Sequence, residues 1–323
     1  MANWGFLGAG SIAQSSLGPA VHAAQGATLH AVAARDERRA RLLKPTKTYE
    51  SYPDLLADPD VDIVYVALHN SAHRRWVEEA LAAGKHVLCE KPLGLSATEV
   101  DSMIQAAHKA DRLLVEAAWN RWHPRTRDME ALLETREIGK VEHVAADFHG
   151  IAPDAGNYRR EHALGGGALY DVGFYAISLA LAAFDWQVPQ VRRVQHQRWS
   201  ATSADSAIAM TLGFPCGGTA DIACSLLGDL KQEFTLRGSE GTVRLTDPAY
   251  TAGAEPCELE LARAQGPVDV SPYPATDPYQ LMVENIDRAL SGRTSYVVPI
   301  EQSLLIAQVI DAALTVMGTP PAK

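Results

Sequence analysis

Apolar and polar positions follow one rhythm up to about residue 122 and another beyond it. In the first part, short apolar runs at residues 3–7, 28–34, 61–67, 86–90 and 113–117 alternate with stretches of helical period at residues 11–24, 71–83 and 97–110, and with a basic helical piece after residue 34. Strands this poor in charge need cover on both faces, which in a strand–helix repeat means a parallel sheet between helical layers. Right-handed crossovers then give a doubly wound α/β domain over residues 1–122.

From residue 123 the pattern becomes one helix, an alternating strand at residues 141–149, a long helix after Gly165-Gly166-Gly167, and then consecutive strands at residues 190–200, 207–214, 218–226, 232–237, 242–246 and 257–262. Strands in succession with short turns predict a mostly antiparallel open sheet, so residues 123–323 form an α+β domain. Thr219, Asp221, Ala223 and Ser225 alternate with Ala220, Ile222, Cys224 and Leu226, which predicts two unlike sheet faces. Residues 267–278, rich in proline, read as a loop, and helices over residues 277–290 and 301–317 close the chain.

With 323 residues, 47% of them hydrophobic and 21% charged, the chain has an ordinary globular composition that suits two domains. Its uncharged stretches fall short of the ~20 apolar residues of a bilayer span, and no signal segment precedes the first strand, so a cytoplasmic protein with no membrane partner is expected. A net charge of −10 argues against nucleic acid as a partner. Cys89, Cys216, Cys224 and Cys257 show neither C-x-x-C spacing nor His at zinc-finger distance, so no metal is expected.

Gly8-Ala9-Gly10-Ser11-Ile12-Ala13 is a G-x-G-x-x-A run between a predicted strand and a predicted helix, the context in which it binds a dinucleotide. Gly8 permits the tight turn, Gly10 lets the backbone approach a pyrophosphate, Ser11 and Ile12 open the helix whose positive end faces it, and Ala13 allows close helix–strand packing. After the second strand, where an NAD site carries a carboxylate, stands Ala34-Arg35-Asp36-Glu37-Arg38-Arg39. Arg35 and Arg39, four apart on one predicted helical face, suit a ribose 2′-phosphate, so NADP is preferred over NAD. Asp36 is the competing carboxylate, one residue late.

Cys89-Glu90-Lys91-Pro92 after such a domain resembles the Gfo/Idh/MocA oxidoreductase family. The likeness runs through the whole chain, in Gly8-x-Gly10-x-x-Ala13, Asn70 with His73, Glu90-Lys91-Pro92, and the run from Gly165 through Asp171 to Tyr175. Tyr175 stands where many members carry His, and Glu116-Ala117-Ala118-Trp119-Asn120-Arg121-Trp122-His123-Pro124 also resembles the branch containing dimeric dihydrodiol dehydrogenase, NADP xylose dehydrogenase and glucose-fructose oxidoreductase. His69 departs from the family, which usually has Pro there. The resemblance implies that Asn70, His73, Glu90, Lys91 and Trp119 bind the cofactor, His73 and Trp119 at its nicotinamide end, and that the C-terminal sheet joins a homodimer or homotetramer. Arg121 and Arg159 either hold cofactor phosphate or substrate oxygens, or form surface ion pairs.

Oxidising an alcohol needs a hydride acceptor and a group that takes the hydroxyl proton. Tyr175 is the candidate general base in oxidation and acid in reduction. A free phenol has a pKa near 10, which a neighbouring ammonium such as Lys91 lowers by favouring phenolate. Lys91 itself is the other candidate for proton transfer. Asp171, four residues before Tyr175 on a predicted helix, shares its face, while Phe174, Ile177, Leu181 and Phe184 form a core stripe. The expected activity is NADP-dependent hydride transfer at a CH–OH or C=O carbon of a small cyclic polyol, such as xylose or a trans-dihydrodiol. The alternatives are a keto-sugar reductase of the 1,5-anhydrofructose type and a non-catalytic NADP-binding sensor, which would need none of Lys91, Asp171 and Tyr175.

Overall fold

Strand β1 (Ala2–Leu7) buries Trp4, Phe6 and Leu7 completely, as a strand covered on both sides must. It lies inside a six-stranded parallel sheet with β2 (Ala27–Ala33), β3 (Lys47–Tyr49), β4 (Ile63–Val66), β5 (His86–Cys89) and β6 (Leu114–Glu116), in the order β3-β2-β1-β4-β5-β6. The order reverses between β1 and β4, so a crevice opens beyond the carboxyl ends of these two strands. The intervening helices are α1 (Gly18–Ala23), continuous with a π-helical turn at Ala13–Leu17, α2 (Glu37–Leu42), α3 (Tyr52–Leu56), α4 (His73–Ala82) and α5 (Ala97–Ala110). The edge strand β3 and the single-turn α3 have no strong apolar period and are absent from the sequence reading. The computed structural model describes residues 1–200 and 203–319.

Helix α6 (Pro124–Glu134) leads into β7 (Val141–His149), and helix α7 (Phe174–Ala183) follows a π-helical turn at Leu169–Gly173. Strands β8 (Gln190–Arg198), β9 (Asp205–Gly213), β10 (Thr219–Ser225), β11 (Lys231–Gly238), β12 (Gly241–Leu245), β13 (Cys257–Arg263) and β14 (Val268–Tyr273) complete an eight-stranded sheet in the order β14-β13-β12-β11-β7-β10-β9-β8. Among the described residues of this sheet, only β7 and β10 pair in parallel. Their buried residues, Val144, Ala146 and Phe148 with Ala220, Ile222 and Cys224, meet α7, while Asp221 on the opposite face is exposed. β14 corrects the loop expected at residues 267–278: it is an edge strand, where Pro272 is tolerated and Val268 and Val270 stand exposed.

Helix α7 is buried on all sides and is not amphipathic. Phe174, Ile177 and Leu181 are buried, as the stripe predicts, but so are Ala176, Leu179 and Ala180. Among the described residues, the helical run His162–Ala183 is long and apolar enough to cross a membrane, contrary to the reading of the shorter stretches, but 89% of its most apolar window is buried within the protein.

Two units divide the chain: Met1–Gly94 with Thr98–Trp122 and Asp277–Ser303, and Leu95–Ala97 with His123–Thr276 and Leu304–Lys323. A single cut after residue 122 misses that the chain returns to the first unit through helix α8 (Pro278–Leu290) before helix α9 (Ile300–Val316). The return is held by Trp4 Nε1, which donates to Asp287 Oδ1 at 3.2 Å inside the core, and by Trp119 stacked on Tyr279 at 4.8 Å between ring centroids.

Candidate active site

Gly8 adopts φ +99°, and a Cβ there would stand 2.5 Å from the carbonyl oxygen of Ala67 at the end of β4, so only glycine fits. Gly10 is different. A Cβ at Gly10 would meet only Ala67 O, at 3.9 Å, so no internal packing demands glycine there. The space it leaves lies at the start of a helix, with Ser11 exposed and Ile12 half-buried, while Ala13 packs with no exposure. This cradle fits a dinucleotide pyrophosphate.

The basic run after β2 separates into paired and unpaired arginines. Asp36 caps α2 by accepting the Arg38 N–H at 3.0 Å and also pairs with the Arg38 side chain at 3.5 Å, and Arg41 pairs with Glu37 at 2.6 Å. Among the described residues, Arg35 and Arg39 are exposed and make neither an ion pair nor a side-chain hydrogen bond. Arg35 precedes the cap, so the two do not share a helical face as the sequence spacing implied. They are nevertheless the two guanidinium groups left for an anion, and Asp36 is committed to its helix. Arg35 also lies near His69, whose pKa is lowered by burial and by that charge; His69 Nδ1 is 2.9 Å from Ser71 Oγ.

The turn carrying Lys91 follows β5 and includes the cis peptide Lys91–Pro92. Lys91 is half-buried, and Glu90 is 8% exposed and accepts the Tyr65 hydroxyl at 2.5 Å. Asn70 is buried in the short 3-10 turn Asn70–Ala72 before α4. His73 has no exposure, and its ring nitrogens lie 2.9 Å from Pro92 O and 3.2 Å from Leu68 O, so it braces two loops. Burial lowers its pKa to about 4, which keeps it neutral.

Two further residues expected at the cofactor are buried in packing. Trp119 gives a ring face to Tyr279. Arg121 is 3% exposed and donates to Gln302 Oε1 at 3.1 Å and Tyr296 Oη at 3.4 Å, anchoring the returning segment; it is not a surface ion pair.

In the second unit, Asp171 lies in the π-helical turn and Tyr175 in the first turn of α7, 5% exposed and beside Phe148 at 5.6 Å between centroids. Arg159 Nε donates to Asp171 Oδ2 at 2.8 Å. Burial lowers the Arg159 pKa, but Asp171, Tyr158 and, least, Tyr175 together raise it by more, so the guanidinium stays charged within electrostatic range of the phenol. The glycine run explains how Arg159 gets there: a Cβ on Gly166 would stand 2.5 Å from Tyr158 O and 2.6 Å from the Arg159 carbonyl carbon. Behind the same run, Asp205 accepts the Leu169 N–H at 2.8 Å and caps the helix start from β9, and its carboxyl is pushed up to about 6 by burial. Asp205 is 36 residues away in sequence and carries no motif, so only the fold reveals its role.

Two family models cover most of the chain: an oxidoreductase family with an NAD-binding Rossmann fold over residues 2–117, and the GFO/IDH/MocA C-terminal domain over residues 126–244. The chain belongs to the GFO/IDH/MocA oxidoreductase family. It is a nicotinamide-dependent oxidoreductase, as the resemblance implied. The trans-1,2-dihydrobenzene-1,2-diol dehydrogenase of Danio rerio is 33% identical over 76% of this chain and 74% of its own. An NADP(+) D-xylose 1-dehydrogenase of Haloferax volcanii is 32% identical over 96% of this chain and 95% of its own. A 3-ketoreductase of Actinomadura kijaniata, solved with NADP and TDP-benzene, superposes with a TM-score of 0.89 at 27% identity, covering 97% of each chain. That 3-ketoreductase has also been solved with a tyrosine and with a lysine replaced.

Proposed function

We propose that this protein is an NADP-dependent dehydrogenase or reductase acting at a CH–OH or C=O carbon of a small cyclic polyol, an aldose or a trans-dihydrodiol. The observation that carries the reading is the retention of Lys91, Asp171 and Tyr175 together with the dinucleotide cradle, because a sensor needs only the cradle. The lysine and tyrosine replaced in the Actinomadura kijaniata enzyme are as far apart in sequence as Lys91 and Tyr175, which supports these two as the reacting pair.

Gly8, Gly10, Ser11 and Ile12 would hold NADP, Arg35 and Arg39 would serve its 2′-phosphate, and the bound cofactor would supply the hydride acceptor or donor. In oxidation, Tyr175 takes the substrate hydroxyl proton as the carbonyl forms; in reduction it returns a proton to the same oxygen. The cations Lys91 and Arg159 favour the phenolate form, and Asp171 fixes Arg159. Lys91 is the second candidate for the proton-carrying group. The reverse reaction on a keto-sugar uses the same residues, and the 3-ketoreductase activity named for the Actinomadura kijaniata protein favours it as the second reading.

The exposed face of the eight-stranded sheet, with Thr219, Asp221 and Ala223, is proposed to join a second copy of the chain in a homodimer or homotetramer. The test of function is NADPH and NADH titration by nicotinamide fluorescence, followed by a panel of aldoses, inositols, keto-sugars and dihydrodiols. Tight NADPH binding with turnover on one class supports the reading. Tight binding with no turnover on any of them supports a sensor, and no binding removes the cofactor site.

A further inference from the structure

Three consecutive residues at Lys91 each have a backbone group held by a side chain of the first unit: one from the turn itself, one from α4 and one from β6. The Lys91 N–H donates to Glu90 Oε2 at 3.3 Å, Pro92 O faces His73 Nδ1 at 2.9 Å, and the Leu93 N–H donates to Glu116 Oε1 at 2.6 Å. Glu90 and His73 belong to motifs already assigned to the cofactor, but Glu116 has no assigned role. It is the last residue of β6, 3% exposed, and paired in register with Cys89 at the end of β5. A buried carboxylate is costly unless it makes hydrogen bonds, and the turn carrying Lys91 supplies one of the shortest backbone donors in the structure.

We propose that Glu116 is a positioning residue for Lys91: by gripping the Leu93 N–H it fixes the turn on which the ammonium stands when the substrate proton moves. The inference rests on the proposed catalytic role of Lys91 for its kinetic consequence, but not for its structural one. Burial, with a smaller push from Glu90, raises the Glu116 carboxyl to about 7, while Ser303, the Leu93 N–H and Lys91 pull it down. A neutral amide is therefore a fair stand-in at neutral pH, and Gln keeps an oxygen to accept from Leu93.

The experiment compares Glu116→Gln, Glu116→Ala and Lys91→Ala in the full chain, reading amide hydrogen exchange at Leu93 and, in parallel, kcat and NADPH affinity. In Glu116→Ala, Leu93 exchange should rise about 10-fold or more while core amides of β1 and β4 stay protected. Its kcat should fall about 30- to 100-fold with NADPH affinity nearly unchanged, the signature of a misplaced group and not of a lost binding site. Glu116→Gln should restore both readouts to near the parent values, and it also serves should the alanine variant fold poorly. Unchanged Leu93 exchange in Glu116→Ala, or a glutamine variant as impaired as the alanine one, would overturn the proposal. If Lys91→Ala keeps full turnover, the catalytic reading of Lys91 fails by itself, and Leu93 exchange still decides whether Glu116 holds the turn.

Discussion

Arg159 and Asp171 form an ion pair at 2.8 Å that sits one helical turn from Tyr175. The pair exists because Gly166 lets the Tyr158–Arg159 backbone pass against the helix start. Arg159→Gln should remove the guanidinium that donates to Asp171, raise the cost of phenolate at Tyr175, and lower kcat about 10- to 100-fold with NADPH affinity intact. Steady-state kinetics beside a fluorescence titration would check this. Equal kcat in variant and parent would reduce the pair to loop packing.

Gly8 and Gly10 should separate stability from binding. Gly8→Ala forces a Cβ into Ala67 O at a positive φ and should cost about 2 kcal/mol or more of stability in a denaturant melt. Gly10→Ala has room in the fold, so it should melt within about 1 kcal/mol of the parent while losing NADPH affinity at least about 10-fold. Retained affinity in Gly10→Ala would mean that the cradle does not hold the pyrophosphate.

The unpaired arginines should discriminate cofactors. Replacing Arg35 and Arg39 with alanine should raise the NADP dissociation constant about 100-fold and that of NAD only about 2- to 3-fold, since charge-assisted bonds to a 2′-phosphate contribute about 1.5–3 kcal/mol each and NAD has no such group. Parallel titrations read the difference. Arg38→Ala is the control, because its partner Asp36 already holds that guanidinium.

Asp287 gives the first unit a measurable pH dependence. Burial pushes its carboxyl up to about 6, and Trp4 Nε1 pulls the other way. The folded pKa exceeds the unfolded one, so this group's contribution is full below about pH 4 and is lost as pH rises through 6. Asp287→Asn should gain stability relative to the parent between pH 5 and pH 8, by on the order of 2 kcal/mol, while still accepting from Trp4. A stability difference that does not change with pH would show that Asp287 does not titrate in this range.

Local pattern made the two domains, the dinucleotide turn and the helix of Asp171 and Tyr175 legible in the sequence, because uncharged strands and glycine runs mark themselves without reference to distant residues. What stayed hidden depends on long-range partners. The return of α8 rests on Trp4 meeting Asp287, the helix cap on Asp205 arriving from another strand, and the grip on Leu93 on Glu116 at a strand end. Family resemblance alone assigns His73 to the cofactor, and the sequence leaves Arg121 open between an anion and a surface ion pair. Burial instead turns them into braces, using their hydrogen-bonding capacity on backbone and neighbouring side chains. Edge strand β14 was missed for another reason: the prolines in and around it read as a loop, although Val268 and Val270 alternate with Asp269 and Ser271.

Tyr175→Phe tests the central claim most directly, because it removes one oxygen from a buried ring that keeps its packing against Phe148. Turnover on the best panel substrate should fall at least about 1,000-fold while NADPH binds as tightly as to the parent, since a positioned acid–base group contributes about 10²–10⁴ in rate. A variant that turns over at the parent rate would contradict the account and return the proton-carrying role to Lys91.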